Sequence, residues 1–425
     1  MLLNFKVKNF RSIKEEIVLD LQATSDDAMK SDAVFNCGNV SLLKCAAIYG
    51  PNASGKSNIF KAFAVFRMMI LESLLRSNTQ VDLPNEFFKL SEDTENQSSR
   101  FEMTFLLDED IFSYGFEIDK KSITAEWLKQ KKGNKILFTR KKQEIKHNKN
   151  YFSEASGDLK KKTTERVLFL TLLASYDQPI SKKTIQLIQK TGLISGAERA
   201  NTLNYTIDQF LNNSSMAEKT KDFIVKADFG VADIKISKKI ISAKEIKNIP
   251  DKFKELFFKE DSKIAEHSLI FFHKKYDKHG KEIASIPLNF FTEESDGTQQ
   301  MFALSAPIID ALENGKILFI DELEANLHPV LCQYLVSIFN SKEKNPNNAQ
   351  FIFTTHAVSL LDEDYLRRDE IYFMDRDEKG TTELFSLADI SERKGVNFAK
   401  RYLEGRYKAL PYIADFENLK FSKQV

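Results

Sequence analysis

Hydrophobic residues recur with two periods along this chain, and the change from one to the other marks out its elements. The opening "MLLNFKVKNFRSI" alternates as a strand does. "LLKCAAIYGPNASGKSNIFKAFAVFRMMILESLL" starts as an apolar strand ending at Tyr49, crosses a glycine-bounded loop and continues as a helix from about Ser57. "RFEMTFLLDEDIFSYGFEID" alternates about a turn at Asp108-Glu109-Asp110, and "ITAEWLKQKKGNKILFTRKKQEI" extends that antiparallel pattern through a Lys-Gly-Asn-Lys turn. From about Leu159 to Phe229 the period becomes helical, and no sustained heptad run appears there. Strand alternation returns in "ADIKISKKIIS" and "SLIFFHKKYDKHGKEIASIPLNFF". Two short continuous apolar runs follow, Ile317-Leu318-Phe319-Ile320 and "QFIFTTH" ending at His356, as strands buried on both faces require. The last pattern, "IYFMDRDEKGTTELFSL", reads as a hairpin turning at Asp-Glu-Lys-Gly.

Composition narrows the class. At 425 residues and 42% hydrophobic, the chain can build two or three lobes with a sizeable core. Its 62 basic and 61 acidic side chains nearly cancel, so any attraction to nucleic acid must be local. Three cysteines without a CxxC pair suit a reducing compartment. The N-terminus lacks the apolar run of a signal peptide, and no stretch approaches the roughly 18 apolar residues of a membrane span. A soluble cytoplasmic protein that does not enter the membrane is expected.

The chemistry begins at Gly50-Pro51-Asn52-Ala53-Ser54-Gly55-Lys56-Ser57, which fits GxxxxGK[ST] between a strand and a helix. Backbone N–H groups of such a loop converge on phosphate oxygens. Lys56 brings a point charge to the β and γ phosphates, and the Ser57 hydroxyl can ligate Mg²⁺. Far downstream the 317–320 strand ends in Asp321-Glu322. There Asp321 would hold Mg²⁺ through its water shell, and Glu322 would orient or deprotonate a water attacking in line. His356, at the tip of another apolar strand, is suited to hydrogen-bond the γ-phosphate.

In order, the phosphate loop, "ESDGTQQ" at 294–300, "FIDELEANLHP" and "TTH" resemble the ABC-type ATPase heads of the SMC and RecF families. The resemblance implies an α/β fold, an ABC-type P-loop head with a mixed sheet, flanking helices and an antiparallel β subdomain, here with a helical insertion. It implies ATP and Mg²⁺ as cofactors. It also implies a signature segment in which Ser295, the Gly297 backbone and Thr298 face the γ-phosphate held by a second subunit, so that the site completes only in a head-to-head homodimer, although a helix N-cap alone would also explain a Ser-Asp-Gly-Thr turn. The chain is more specifically similar to AbiL/RloA-type ATPases of bacterial anti-phage loci, related to the ATPase half of OLD nucleases. "NFRSI" at 9–13, "GPNASGKSN" at 50–58, "DELEANLHP" and "YLEGRYKALP" at 402–411 carry that similarity. Through it Arg11 and Asn58 join the expected nucleotide-binding set. His328, where the general ABC pattern has aspartate, becomes a candidate intersubunit contact, although Pro329 behind it could simply start a helix. Lys408 stands where a glycine is usual, which puts that turn in question.

The implied domains are 1–158, an N-terminal ATPase lobe; 159–229, a helical insertion acting as lid or partner platform; and 230–425, a C-terminal ATPase lobe. Asp375-Arg376-Asp377 looks like a nuclease DxD, but about fifty following residues are too few for such a domain. A nuclease or toxin activity would therefore come from a separate effector protein. His273 and His279 flank a lysine-rich turn without a carboxylate cluster and read as surface residues. From Lys129 to Lys149, nine Lys/Arg (129, 131, 132, 135, 140, 141, 142, 146 and 149) face one acid, Glu144. Such a run either tracks nucleic-acid phosphates or protects a solvated edge. Two functions follow: an ATP-hydrolysing switch in phage defence, or a RecF-like DNA-binding repair ATPase.

Overall fold

The computed structural model describes residues 1–77, 80–155, 157–196, 199–227, 230–242, 263–392 and 395–410, and the chain divides into two compact units. The first holds Met1–Gly196, Ala311–Glu324 and Cys332–Val425; the second holds Ala197–Asp310 and Ala325–Leu331. Pro411, which ends the "GRYKALP" stretch, lies outside the described residues.

Two large sheets and a small two-stranded one, Val34–Cys37 with Val40–Leu43, lie in the first unit. A six-stranded sheet runs Gly192–Ser195, Ile317–Asp321, Gln350–Thr354, Cys45–Tyr49, Ile371–Arg376 and Thr382–Ser386, parallel except for the last pair. Every residue of Cys45–Tyr49, Ile317–Asp321 and Gln350–Thr354 is buried, which is why these strands read as unbroken apolar runs. Register sets Ile320 beside Phe353 and Thr354 beside Ile48. The carboxyl ends of three strands therefore open along one edge, where open α/β sheets take their ligands.

The second sheet is antiparallel, in the order Glu144–His147, Lys135–Lys141, Ile123–Gln130, Asp110–Ile118, Ser99–Leu107, Leu2–Lys8 and Ile17–Asp20. The turn expected at 108–110 forms with two residues between the strands, Asp108 and Glu109 at φ +48° and +66°. Two successive positive φ angles match the right-handed twist of a hairpin.

Helix Lys56–Glu72 joins the sheets into one core. It buries Ile59, Ala62, Phe63, Phe66, Met69 and Ile70, positions three or four apart that make one face. Phe63 stacks on Phe319 of the six-stranded sheet at 4.3 Å, while Phe66 stacks on Phe116 of the other at 5.5 Å. Each such aromatic contributes about 1.5–3 kcal/mol on burial. The helix that carries the phosphate loop is thus fixed from both sides.

The boundary between the two compact units falls at Gly196, within the segment 159–229. Helices Phe169–Ser175 and Pro179–Gln189 belong to the first unit, and Gly192–Ser195 joins its sheet as a parallel edge strand beside Ile317–Asp321. Four residues are too few for alternation to announce a strand, and the pairing is with a segment more than a hundred residues away. Helices Arg199–Asn212 and Ser214–Lys226 belong to the second unit, with the antiparallel strands Val231–Ser242, Lys263–Tyr276 and Glu282–Asn289 and most of helix Asp296–Asn314. Phe271, Phe290 and Phe302 form its aromatic centre, with ring centroids 5.1–5.4 Å apart.

Residues 371–386 form the expected hairpin, with Asp375 opposite Glu383. The Asp377 carboxylate accepts the Lys379 and Thr381 backbone N–H groups at 2.9 and 2.7 Å, so it closes the turn. Among the described residues, no helix is long and apolar enough to cross a membrane.

Candidate active site

The loop from Gly50 to Ser57 is shaped by close approaches that exclude side chains. A β-carbon on Gly50 would lie 2.2 Å from the Met374 carbonyl oxygen. Gly55 sits at φ +107°, and a β-carbon there would meet Thr382 Oγ1 at 2.4 Å. Thr382 Oγ1 donates to the Ser54 carbonyl at 2.8 Å and lies 2.6 Å from Ser12 Oγ, which accepts from Asn58 Nδ2 at 2.7 Å. Ser12 and Thr382, 370 positions apart, thus lock the loop between the first strand's end and the 371–386 hairpin. Ala53 adopts φ +65° at the loop's apex, and Asn52 is exposed.

Lys56 is buried, and its Nζ donates to the carbonyls of Gly50 and Pro51 at 2.8 and 3.0 Å. Burial pushes its pKa down to about 8, while Glu324, Asp321 and Glu322 oppose that fall. Ser57 follows in the first helical turn, half-buried.

Across the sheet edge, Asp321 is buried and its Oδ1 accepts from Thr354 Oγ1 at 2.6 Å. Glu322 is exposed and holds φ +58°, an unusual conformation for a residue with a β-carbon. Its backbone N–H donates to the same Thr354 oxygen at 2.7 Å. His356 stands beyond the neighbouring strand's tip. Burial first, and then the Lys56 charge, lower its pKa, so the imidazole is neutral at pH 7. Lys56, Asp321, Glu322 and His356 therefore share one electrostatic environment, although 300 residues separate the first from the last.

The oxygen donors at this edge include the Ser57 hydroxyl and the buried Asp321 carboxylate. Among the described residues, no cluster of three or more His, Cys, Asp or Glu could hold a metal outright. One serine hydroxyl and one buried carboxylate suit Mg²⁺, which keeps several waters and takes further oxygens from phosphates. The residues present fit that ion.

In the second unit, Ser295 caps helix Asp296–Asn314: its Oγ accepts the Thr298 N–H at 3.1 Å and lies 2.9 Å from Thr298 Oγ1. A β-carbon on Gly297 would come within 3.2 Å of the Asn326 carbonyl oxygen. Gln299 anchors the segment by donating to the carbonyls of Phe290 and Glu294. His328 is exposed, and its Nδ1 accepts from Val330 N–H at 3.2 Å at the start of helix Pro329–Asn340.

A profile described as "AAA domain, putative AbiEii toxin, Type IV TA system" matches residues 45–362, three quarters of the chain. The chain belongs to this family. Its mostly parallel six-stranded sheet, with a glycine-bounded loop between the strand Cys45–Tyr49 and the helix Lys56–Glu72, agrees with that AAA-domain description. No curated protein matches it in sequence. Among solved structures, an SMC head bound to the C-terminal winged-helix domain of ScpA is 15% identical, covering 91% of this chain and 97% of that one, with a TM-score of 0.42. The SMC head domain from Thermotoga maritima is 13% identical over 91% and 98%, with a TM-score of 0.41. The recombination mediator RecF with ATP is 12% identical over 91% and 99%, with a TM-score of 0.37.

Other residues singled out in the sequence of this AAA-domain protein have partners within the chain. The Arg11 side chain pairs with Glu86 at 2.7 Å, and its backbone sits at φ +53°. His273, expected at the surface, is half-buried on the strand Lys263–Tyr276 that leads into the lysine-rich turn, and its Nε2 is 2.6 Å from Glu294 Oε1. Arg140 belongs to the basic run only in sequence. Its guanidinium is fully buried, 3.4 Å from Glu126, and donates to the carbonyls of Lys142, Thr164 and Val167. It cannot meet a nucleic-acid phosphate. Lys129, Lys131, Lys132, Lys141, Lys142, Lys146 and Lys149 are exposed. Glu324, Thr354, Ser12 and Thr382 were not singled out from sequence. Glu324 had a signal, as a third carboxylate in "DELEAN", whereas the others acquire partners only through the fold.

Proposed function

We propose that this protein binds and hydrolyses ATP as a switch in a bacterial anti-phage defence system, its two nucleotide states controlling or recruiting a separate effector. The observation that carries the reading is the convergence of Lys56, Asp321, Glu322 and His356 on one sheet edge. The toxin and toxin–antitoxin wording of the family supports the defence setting.

In this mechanism the loop amides and the Lys56 ammonium bind the β and γ phosphates. Ser57 and Asp321 would hold Mg²⁺, which supplies neutralising charge on those phosphates. Glu322, exposed at its strand tip, orients the attacking water and takes its proton. His356, neutral, hydrogen-bonds the γ-phosphate. Ser295, the Gly297 backbone and Thr298 of a second copy complete the site, which makes closure of a homodimer the step that reports bound ATP.

The test is a pair of variants. Lys56→Ala loses nucleotide binding, whereas Glu322→Gln keeps it and turns over roughly 10²–10⁴-fold more slowly, the scale of a lost acid or base. Equal turnover in Glu322→Gln and wild type would remove Glu322 from this role. The exposed lysines between 129 and 149 support a second reading, a DNA-binding repair ATPase. A steep fall of DNA affinity with salt would favour it.

A further inference from the structure

Two side chains outside the expected nucleotide-binding set tie the strand tip bearing Glu322 to the strand tip bearing His356. The first is Thr354, buried on the Gln350–Thr354 strand. Its hydroxyl donates to Asp321 Oδ1 at 2.6 Å and accepts the Glu322 N–H at 2.7 Å, while its carbonyl accepts the Leu323 N–H at 3.0 Å. One residue thus receives the backbone at the very point where the chain turns to φ +58°. A left-handed turn at a glutamate persists only when its surroundings hold it. The second tie runs the other way. Glu324 Oε2 accepts from the Thr355 hydroxyl at 2.7 Å, and Oε1 accepts the His356 N–H at 2.6 Å. Thr355 Oγ1 in turn accepts the Ala357 N–H at 2.9 Å, so the carboxylate fixes the whole turn that presents His356.

We infer that Thr354 and Glu324 are positioning residues that lock the attacking-water carboxylate of Glu322 and the γ-phosphate partner His356 into one rigid unit. Thr354 acts through Asp321 and Glu322, and Glu324 acts through His356. Neither side chain hydrogen-bonds the phosphate loop, so Thr354 serves the hydrolytic step and leaves ground-state binding to Lys56, whereas the Glu324 charge also acts on Lys56 and its substitution can move affinity as well as kcat. Displacing a reacting group by about 1 Å can cost on the order of 10²-fold in rate. Valine keeps the threonine shape but loses the hydroxyl, whereas serine keeps a hydroxyl that can donate one bond and accept another.

This inference rests on the proposed ATPase reading, and the experiment separates the two. Steady-state ATPase is measured for wild type, Glu322→Gln, Thr354→Val, Thr354→Ser, Glu324→Gln and the double variant Thr354→Val/Glu322→Gln. Equilibrium binding of a fluorescent ATP analogue is measured in parallel. Thr354→Val is expected to lower kcat by about 10–10²-fold with KM and analogue affinity within about threefold of wild type. Thr354→Ser should restore most of the rate. Glu324→Gln, which can accept only one of the two bonds, should lower kcat by about tenfold. The double variant should be no slower than Glu322→Gln alone, because Thr354 works through the group already removed.

Absence of ATPase in wild type overturns the ATPase reading itself. An active wild type with a slow Glu322→Gln, but full-speed Thr354→Val and Glu324→Gln, overturns only the positioning inference. So does a Thr354→Val defect confined to affinity, or one that adds fully to Glu322→Gln. If Thr354→Val fails to fold, Thr354→Ser decides the matter by the same split between kcat and KM, and Glu324→Gln by kcat alone.

Discussion

The Lys56 ammonium donates to the Gly50 carbonyl at 2.8 Å, so the cation proposed to bind phosphate is held within the curve of its own loop. That enclosure strips water from the charge, and burial lowers its pKa to about 8 against three opposing carboxylates. The direction has two consequences. Above about pH 8 the folded chain loses a proton that the unfolded chain keeps until about 10.5. The unfolded state then binds more protons, so this group's contribution to stability rises with pH across that window. Nucleotide affinity goes the opposite way, because only the ammonium attracts phosphate. ATP affinity is expected to fall from pH 8 upward, by up to about tenfold per unit. A titration calorimetry series from pH 7 to 9.5 checks this, and a flat profile would exclude Lys56 from phosphate contact or from its lowered pKa.

Ser295 has a structural duty, accepting the Thr298 N–H at 3.1 Å, which must be separated from any role toward a second subunit. Aspartate caps a helix as well as serine does. Ser295→Asp should therefore melt within about 0.5 kcal/mol of wild type. Its negative charge would nonetheless repel a γ-phosphate, and turnover should fall. Lys56→Ala and Ser295→Arg subunits, each inactive alone, should regain part of the ATPase activity when mixed, since one composite site is then intact. Exchange of subunits without recovery would mean paired firing or action in cis, and normal ATPase in Ser295→Arg would dispose of the signature.

Arg140 and the lysines around it should respond differently to substitution. Its guanidinium and the Glu126 carboxylate are both inaccessible, and Glu126 also accepts from the Phe169 and Leu170 N–H groups and the Tyr114 hydroxyl. Arg140→Ala leaves that carboxylate buried without its cation and should cost about 3–5 kcal/mol in chemical denaturation. Replacing Lys131, Lys132, Lys141 and Lys142 with glutamate should leave stability nearly unchanged. It should flatten the salt dependence of DNA or RNA binding if that face is used.

Lys408 takes φ +53° where a glycine was expected, next to Tyr407, which is buried and stacks on Phe373 at 5.0 Å. The turn forms despite the β-carbon, at a conformational cost of about 1–2 kcal/mol. Lys408→Gly should raise the melting temperature by a few degrees, offset in part by glycine's greater unfolded-state entropy. Lys408→Val should lower it. Equal melting of all three would mean that the turn carries no strain.

What the sequence determined by itself is what contiguous residues can encode. The phosphate loop was legible because its glycines answer local demands, a φ of +107° at Gly55 and a backbone approach at Gly50 that admits no β-carbon. Asp321 and Glu322 were legible because a buried strand's apolar run stops where its tip meets solvent. The hairpins at 99–118 and 371–386 were legible from alternation about a short turn. Tertiary structure alone decided the rest, because each such contact depends on which strands lie side by side. Gly192–Ser195 became a strand only by pairing with Ile317–Asp321. Arg140 turned inward because Glu126 and three backbone carbonyls received it. Thr354 reached Asp321, and Glu324 reached Thr355, because parallel pairing set two strand tips next to each other across more than thirty residues of chain. A hydrogen bond has no periodicity to betray it in advance; its partner is chosen by the fold.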